Sequence, residues 1–458
     1  MGSHDRSLHG RACWLMRMDR LLLVTGATGY IASRLIPRLL EAGYRVRCLA
    51  RDPGRLAGRR WVQQVEIVQG DVTIPSTLVR AMKGVHTAYY LIHNMTHGHG
   101  YTALELESAR AFASAAAETG VQHIIYLGGL ADPEQHIAPH MRSRIETGRA
   151  LREGKVPVTE FRAGVIAGSG SISFEMIRFM TELFPIVPGP SWMRNRSQPI
   201  AIRNVIDYLS AALTNLNGYG KVFEIGGPSV TTYGDLMLRY ARLRGIKRRM
   251  LLIPGIPLWF MAFGVGLMTP VPYPIAYALI GGLSADSVVK HPEALQTFPE
   301  VTLIDFDSAA KDALEKTNPF QIERIWEDGR QEARSIKHEG CFIDHREQPI
   351  PVDSEKLRSA VLQYASQSKK FEDVRQTEEK ISVHVKDQAA GDKWLEWQIS
   401  SHAAPSGRSG AGVTHLAQTV FFCPHGLPGF LYWYLLYPFH VLNFRNSIRS
   451  IVEQSKKI

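Results

Sequence analysis

Leu21 to Val24 is a short, unbroken apolar run that ends in a glycine-rich turn. From about Tyr30 to Ala42 the apolar positions take up a helical period, and Gly43 closes that helix. A second apolar run follows from Arg45 to Ala50. Continuous apolar runs of this length suit strands buried on both faces, so the unit reads strand–turn–helix–strand. Further strands are expected at Val65–Gln69, Thr87–Ile92, His123–Leu127, Val158–Phe161 and Val222–Ile225. Ala103–Glu118 reads as an alanine-rich helix ended by Gly120. Strands alternating with helices predict an α/β class with a doubly wound parallel sheet. After about residue 315 glycine turns thin out and charge rises. A polar, helical stretch is expected between Pro351 and Lys386, with strands at Ile381–Val385, Trp394–Ser400 and Thr414–Phe422. An exposed Ser/Gly/Pro-rich loop is expected at Ala403–Gly412, and a helix from about Pro428 to Glu453 closes the chain. This predicts an N-terminal extension (1–19), an α/β domain (20–315) and a smaller α+β domain (316–458).

Composition changes that picture little. The chain has 458 residues, 45% apolar, which exceeds one ordinary domain. Its formal net charge of +10 suits anionic ligands, a membrane surface or nucleic acid. No arginine-rich tract or aromatic-spaced basic helix accompanies it, so nucleic acid is not expected as a partner. Cys13, Cys48, Cys341 and Cys423 are scattered and form no CxxC pair. That argues against a disulfide framework or a zinc site and fits a reducing cytoplasm. The first eighteen residues carry three arginines and an apolar run too short for a signal peptide; Met18 is an alternative start.

The turn reads Thr25-Gly26-Ala27-Thr28-Gly29-Tyr30-Ile31-Ala32, directly after a strand and opening a helix. Glycines there let backbone approach a pyrophosphate, and the helix N-terminus offers free N–H groups and a positive dipole end. This context predicts a Rossmann nucleotide site built on Thr25, Gly26, Thr28, Gly29, Tyr30 and Ile31. Leu91 and Gly128, at the ends of later strands, are expected along the same cofactor. The end of the second strand separates NAD from NADP. Arg51 there suits a 2′-phosphate, whereas the neighbouring Asp52 could bind a ribose instead. NADP is favoured, with NAD as the alternative. Asp71, after the next strand, is expected near the adenine or else as a simple helix cap.

With these residues in view, TGATGYIA, RDP and GD resemble, in order and spacing, the extended and atypical short-chain dehydrogenase/reductases. Tyr126–Leu130, His140–Arg144, Gly168–Glu175, Gln198–Ile202 and Ile225–Pro228 are similar to one atypical subgroup. Its relatives include NmrA-like proteins and the 39 kDa accessory subunit of respiratory complex I. The resemblance implies a C-terminal domain of unknown function, SRPBCC-like or helix-grip in type, whose end is similar to Gly426–Phe444.

In that superfamily a Tyr-x-x-x-Lys pair on a helix moves the proton, and a serine after the preceding strand orients the carbonyl. By resemblance His140 takes the tyrosine place and Arg144 the lysine place, while Leu127-Gly128-Gly129 has no hydroxyl. Two readings stay open. Either His140 is the proton donor with Arg144 holding ribose or pyrophosphate, or the site binds nucleotide without reduction. His93, His97 and His99 form a histidine-rich segment, read as a loop over the nicotinamide rather than a metal site. Tyr89, Tyr90 and Tyr126 read as core. Arg162, Phe174, Glu175 and Arg178 are candidates to line the substrate cleft.

Leu251–Leu283 contains no charged residue, but Pro254, Pro257, Pro270, Pro272 and Pro274 break it below spanning length. Arg242, Arg244, Lys247, Arg248 and Arg249 precede it. The segment is either the wall of an apolar substrate pocket or a peripheral membrane contact. The C-terminal aromatic helix (Tyr432, Trp433, Tyr434, Tyr437) poses the same choice. The expected protein is an NADPH-dependent oxidoreductase acting on an apolar, quinone- or lipid-like small molecule. It is expected in the cytoplasm, at most resting on the inner face of a membrane. The alternative is a catalytically silent redox sensor or an assembly factor of a respiratory complex. No metal is expected, and the sequence leaves the oligomeric state open.

Overall fold

A computed structural model describes residues 20–56, 59–93, 101–132, 134–135, 137–268, 273–315, 342–377, 380–385, 390–402 and 413–458. The expected N-terminal extension, His97, His99 and the 403–412 loop lie outside the described residues.

Seven strands form the first sheet: β1 (Leu21–Thr25), β2 (Arg45–Ala50), β3 (Glu66–Gln69), β4 (Thr87–Tyr90), β5 (His123–Gly129), β6 (Val158–Ala163) and β7 (Val222–Ile225). Their spatial order is β7-β6-β5-β4-β1-β2-β3 and every neighbouring pair is parallel. Every residue of β1, β4 and β5 is buried, which explains why they read as continuous apolar runs. The edge strands β3 and β7 are only partly buried. Strand order reverses between β1 and β4, so a crevice opens beyond their carboxyl ends.

Helices cover both faces. One layer holds α1 (Tyr30–Glu41), which packs with Leu35, Ile36 and Leu39 against Val205 and Leu209. The other holds α2 (Pro75–Met82), α3 (Tyr101–Glu118) and α4 (Pro139–Arg152), with Leu78, Phe112 and Leu151 buried. Beyond the carboxyl ends lies a third cluster. It is built by α5 (Ile172–Leu183), α7 (Tyr233–Leu243), α8 (Leu258–Met268), α9 (Tyr273–Gly282) and α10 (Phe306–Glu315), whereas α6 (Ile202–Ala211) belongs to the layer of α1.

A second sheet, antiparallel throughout, comprises β8 (Phe342–Ile350), β9 (Phe371–Gln376), β10 (Lys380–Val385), β11 (Gly391–His402) and β12 (Val413–Pro424), in the order β8-β12-β11-β10-β9. Helices α11 (Ser354–Gln367) and α12 (Gly426–Ser455) pack Leu357, Val361, Phe444, Ile448 and Ile451 against Val383, Trp397, Leu416 and Val420. The α+β expectation for this part is met, but β8 and β9 were not anticipated. Cys423 is disulfide-bonded, a single link that the scattered cysteines do not reveal, and Cys48 is free and buried.

The two sheets are joined through α5. Phe179 and Leu183 enter one apolar cluster with Phe342, Phe422, Phe430 and Trp433. The buried carboxylate of Glu182 accepts from Tyr240 Oη at 2.9 Å, Arg244 Nε at 2.8 Å and the main-chain N–H of Gly426 at 2.8 Å. Burial raises its pKa, but Arg244, the Tyr240 hydroxyl and the charge of Arg178 together outweigh that and hold it below the usual carboxylate value.

Candidate functional site

The glycine turn sits at the reversal point of the sheet. Gly26 adopts φ +69°, and a Cβ there would lie 2.6 Å from the carbonyl oxygen of Leu91. Only glycine allows that conformation and that approach together. Thr25 Oγ1 donates to Tyr89 O at 2.9 Å and accepts from Leu91 N at 3.1 Å, so Thr25 and Leu91 lock β1 to β4 beneath the turn. Gly29 caps α1 with no side-chain hydrogen bond. The first N–H groups of α1 are therefore left for solvent or an anion. This cradle fits the pyrophosphate of a dinucleotide.

Arg51 is exposed at the end of β2. Asp52 turns its carboxylate to the N–H of Gly54 at 3.0 Å. The structure adds Arg59, buried and with Nη2 3.4 Å from Thr28 O, which fixes it against the glycine turn. Sequence reasoning missed Arg59 because its link to the turn is tertiary. Asp71 spends its carboxylate on its own turn, accepting from Thr73 N at 3.0 Å and Thr73 Oγ1 at 2.9 Å. It takes no part in capping α2, whose N-cap is Ile74.

A cavity of about 270 Å³ links this turn to the third cluster. Tyr30, Ile31, Gly128, His93, His140 and Arg144 surround one end. Six methionines (Met141, Met176, Met180, Met193, Met237 and Met261) together with Val265, Leu279 and Ile280 form much of the rest. The uncharged segment anticipated as a pocket wall therefore is one, through α8 and α9. Methionine walls adapt to irregular apolar shapes, and few polar groups converge at one end, as in small-molecule sites generally.

The polar end is built by α3, α4 and His93, in the segment that follows β4. His140, the second residue of α4, is buried, and its Nδ1 has no hydrogen-bond partner among the described residues. Burial pushes its pKa down to about 4, helped by His93 and Arg144, so the ring is neutral near pH 7. Arg144 lies one turn on. Its Nη2 donates to Leu127 O at 2.7 Å and ties α4 to β5, while its Nε is buried without a partner among the described residues. His93 Nδ1 lies 2.8 Å from the buried Glu105, whose other oxygen accepts the hydroxyl of Ser143. The carboxylate fixes Nδ1 as the donor, which leaves Nε2 as the lone pair; Nε2 is buried with no partner among the described residues. Burial lowers the pKa of His93 and Glu105 opposes that shift. The structure thus brings His93, His140 and Arg144 to one cavity. The Glu105–His93–Ser143 linkage was invisible in sequence.

Other expectations shift. Phe174 is core, packed on Tyr240 and Phe306. Glu175 and Arg178 form a buried pair at 2.8 Å rather than lining the cavity, and Arg162 pairs with Glu160. The helical period of α5 turns Met176, Ile177 and Met180 to the cavity instead. Tyr89 and Tyr126 spend their hydroxyls on Leu209 O and Arg144 O, consistent with structural roles.

Residues 18–181 match the NmrA-like family, and residues 342–447 match a protein family of unknown function (DUF2867). A (4-alkanoyl-5-oxo-2,5-dihydrofuran-3-yl)methyl phosphate reductase of Streptomyces griseus is 28% identical over 302 residues, 62% of this chain and 93% of that protein. The photosystem II assembly factor Ycf39 of Cyanophora paradoxa is 24% identical over 51% of this chain and 71% of its own. An NADPH-dependent quinone oxidoreductase of Escherichia coli, solved with NADPH, superposes with a TM-score of 0.53 at 16% identity. It covers 64% of this chain and 99% of its own, and shows the fold.

Proposed function

We propose that this chain, which matches the NmrA-like family over residues 18–181, is an NADPH-dependent oxidoreductase for an apolar, quinone- or lipid-like acceptor. One observation carries this reading. A single cavity joins the glycine-turn residues Tyr30 and Ile31 to His93, His140 and Arg144 and to a methionine-rich apolar wall. The naming of the Streptomyces relative as a reductase supports the oxidoreductase part of this reading.

The N-terminus of α1 would hold the pyrophosphate, and Arg51 with Arg59 the 2′-phosphate. Bound reduced nicotinamide supplies a hydride. The chain itself must orient the acceptor, exclude water and deliver one proton. The apolar wall excludes water. Neutral His140 offers an N–H to the acceptor oxygen, and Arg144 adds positive charge beside it. The proton comes from the His140 N–H, while His93, its Nδ1–H held by Glu105, presents the Nε2 lone pair as a hydrogen-bond acceptor beside it.

A rival reading, nucleotide binding without turnover, draws support from the missing hydroxyl at Leu127–Gly129 and from the similarity to an assembly factor. Titration of NADPH and NADH, with Arg51→Ala and Arg59→Ala, tests the first part. Preference for NADPH that collapses in the variants is expected; folded protein that binds neither nucleotide overturns the reading. Turnover of a panel of quinones and apolar carbonyls tests the second. Activity lost in His140→Gln with nucleotide binding intact is expected, and binding without turnover across the panel favours the rival.

A further inference from the structure

From Met250 to Leu283 the chain has no Asp, Glu, Lys, Arg or His. Helices α8 and α9 are accordingly apolar on every side, a pattern that belongs in a core or in lipid. Only one side of the pair is buried here. Ala262, Val265, Ala276 and Ile280 pack inward, and Met261 and Leu279 line the cavity. The outer side presents Trp259, Phe260, Phe263, Tyr273 and Tyr277, each between 43% and 58% exposed. Trp259 stands edge-on to Phe260 at 5.8 Å, and Tyr273 lies 6.0 Å from Tyr277, so each helix presents a pair of neighbouring exposed rings. Such patches on a soluble face mark a binding surface.

The strand that leads into α8, Arg249–Leu252, continues that surface. Alternation exposes Arg249, Leu251 and then Ile253, and the paired strand adds Ile186, also exposed. Lys247 is exposed beside them. Arg248 points the other way, donating to the main-chain oxygens of Thr181 and Glu182. A second apolar stripe, Leu431, Leu435, Phe439 and Leu442, is exposed along α12. The first residue of that helix, Gly426, is held by Glu182, next to Arg248.

We propose that the outer face of α8 and α9, with Lys247 and Arg249, docks on an anionic lipid bilayer. Tryptophan and tyrosine place an apolar body and a polar tip at the headgroup boundary, and the neighbouring cations meet anionic headgroups. The charge complementarity singles out anionic lipid over a neutral apolar partner. No helix among the described residues is long and apolar enough to cross a membrane, so contact is with one leaflet. The same hairpin walls the cavity on its inner side, so an apolar acceptor could pass from lipid to cavity behind two helices; that corollary rests on the function proposed above, whereas docking does not.

The test is co-sedimentation of the full chain, without nucleotide, with vesicles of phosphatidylcholine alone or of equal parts phosphatidylcholine and phosphatidylglycerol. Binding to the anionic vesicles that weakens with added salt is expected. The triple variant Trp259→Ser, Phe260→Ser, Phe263→Ser and the double variant Lys247→Glu, Arg249→Glu should each lower it by about tenfold or more. Circular dichroism and NADPH titration verify that both variants are folded, and separate this outcome from failure of the nucleotide reading. No binding to anionic vesicles at low salt overturns the proposal, as does binding that the triple variant leaves unchanged. A concentration-dependent dimer abolished by the triple variant also overturns it and assigns the face to a second copy of the chain.

Discussion

Replacing Glu182 tests how the two sheets are held together. Its carboxylate serves three donors, Tyr240 Oη, Arg244 Nε and Gly426 N, at 2.8 to 2.9 Å. Glu182→Gln keeps the shape but removes the charge, and its amide nitrogen can no longer accept from one side. A buried hydrogen bond to a charged group contributes about 1.5–3 kcal/mol. Breaking a buried ion pair on one side costs about 3–5 kcal/mol. The Arg244 side chain remains 24% exposed and can rehydrate, which lowers the expected loss to about 2–3 kcal/mol. Because the pKa of Glu182 is lowered on folding, its contribution is present above the ordinary glutamate value of 4.5 and disappears as pH falls through the folded value. Urea unfolding of wild type and Glu182→Gln should therefore differ most near neutral pH and converge in acid. Hydrogen exchange at the start of α12 should quicken in the variant. A stability difference under about 0.5 kcal/mol at neutral pH, with exchange at Gly426 unchanged, would refute the reasoning.

Acid should destabilise the fold through two buried histidines. His140 falls to about 4 and His123 to about 3 from 6.5, so the unfolded chain binds more protons and stability declines as pH drops below 6.5. The His140 share reaches about 3 kcal/mol below pH 4; urea melts of His140→Gln should show a shallower acid decline, and an unchanged one would count against the burial argument. Gly26→Ala places a Cβ 2.6 Å from Leu91 O at φ +69°, and should lower stability by about 2 kcal/mol or more and abolish nucleotide binding in a fluorescence titration. Gly282→Ala puts a Cβ 2.9 Å from His140 Cε1. Its kcat should fall several-fold with NADPH affinity retained, and an unchanged kcat would argue that His140 does not touch the acceptor.

The first sheet was legible because its central strands are buried on both faces and its turn is dictated by backbone geometry. Leu21–Val24 followed by Gly26 and Gly29 leaves few alternatives. The strands missed have no such signature. β9 (FEDVRQ) is an edge strand exposed over nearly its whole length, and β8 carries Asp344, Arg346 and Glu347. Asp344 is buried on β8 because Arg346 pairs with it at 2.7 Å, which a hydropathy pattern reads as a surface. At the site, His140 and Arg144 could be placed by spacing on one helix. The partnership of His93 with Glu105 could not, since it depends on α3 packing beside the end of β4. The cleft residues on α5 were misassigned for a simpler reason. Charge drew attention to Glu175 and Arg178, but the pair satisfies itself and leaves the cavity to the apolar neighbours.

Helix α5 has two audiences. On one side Met176, Ile177 and Met180 feel whatever fills the cavity; on the other Phe179, Glu182 and Leu183 grip the second sheet and the start of α12. A rigid helix between them cannot yield at one face without moving at the other. The cavity wall and the seam with the aromatic stack of Phe342, Phe422 and Trp433 are thus two faces of one helix, so the packing of the second domain forms part of the support on which the cavity is built.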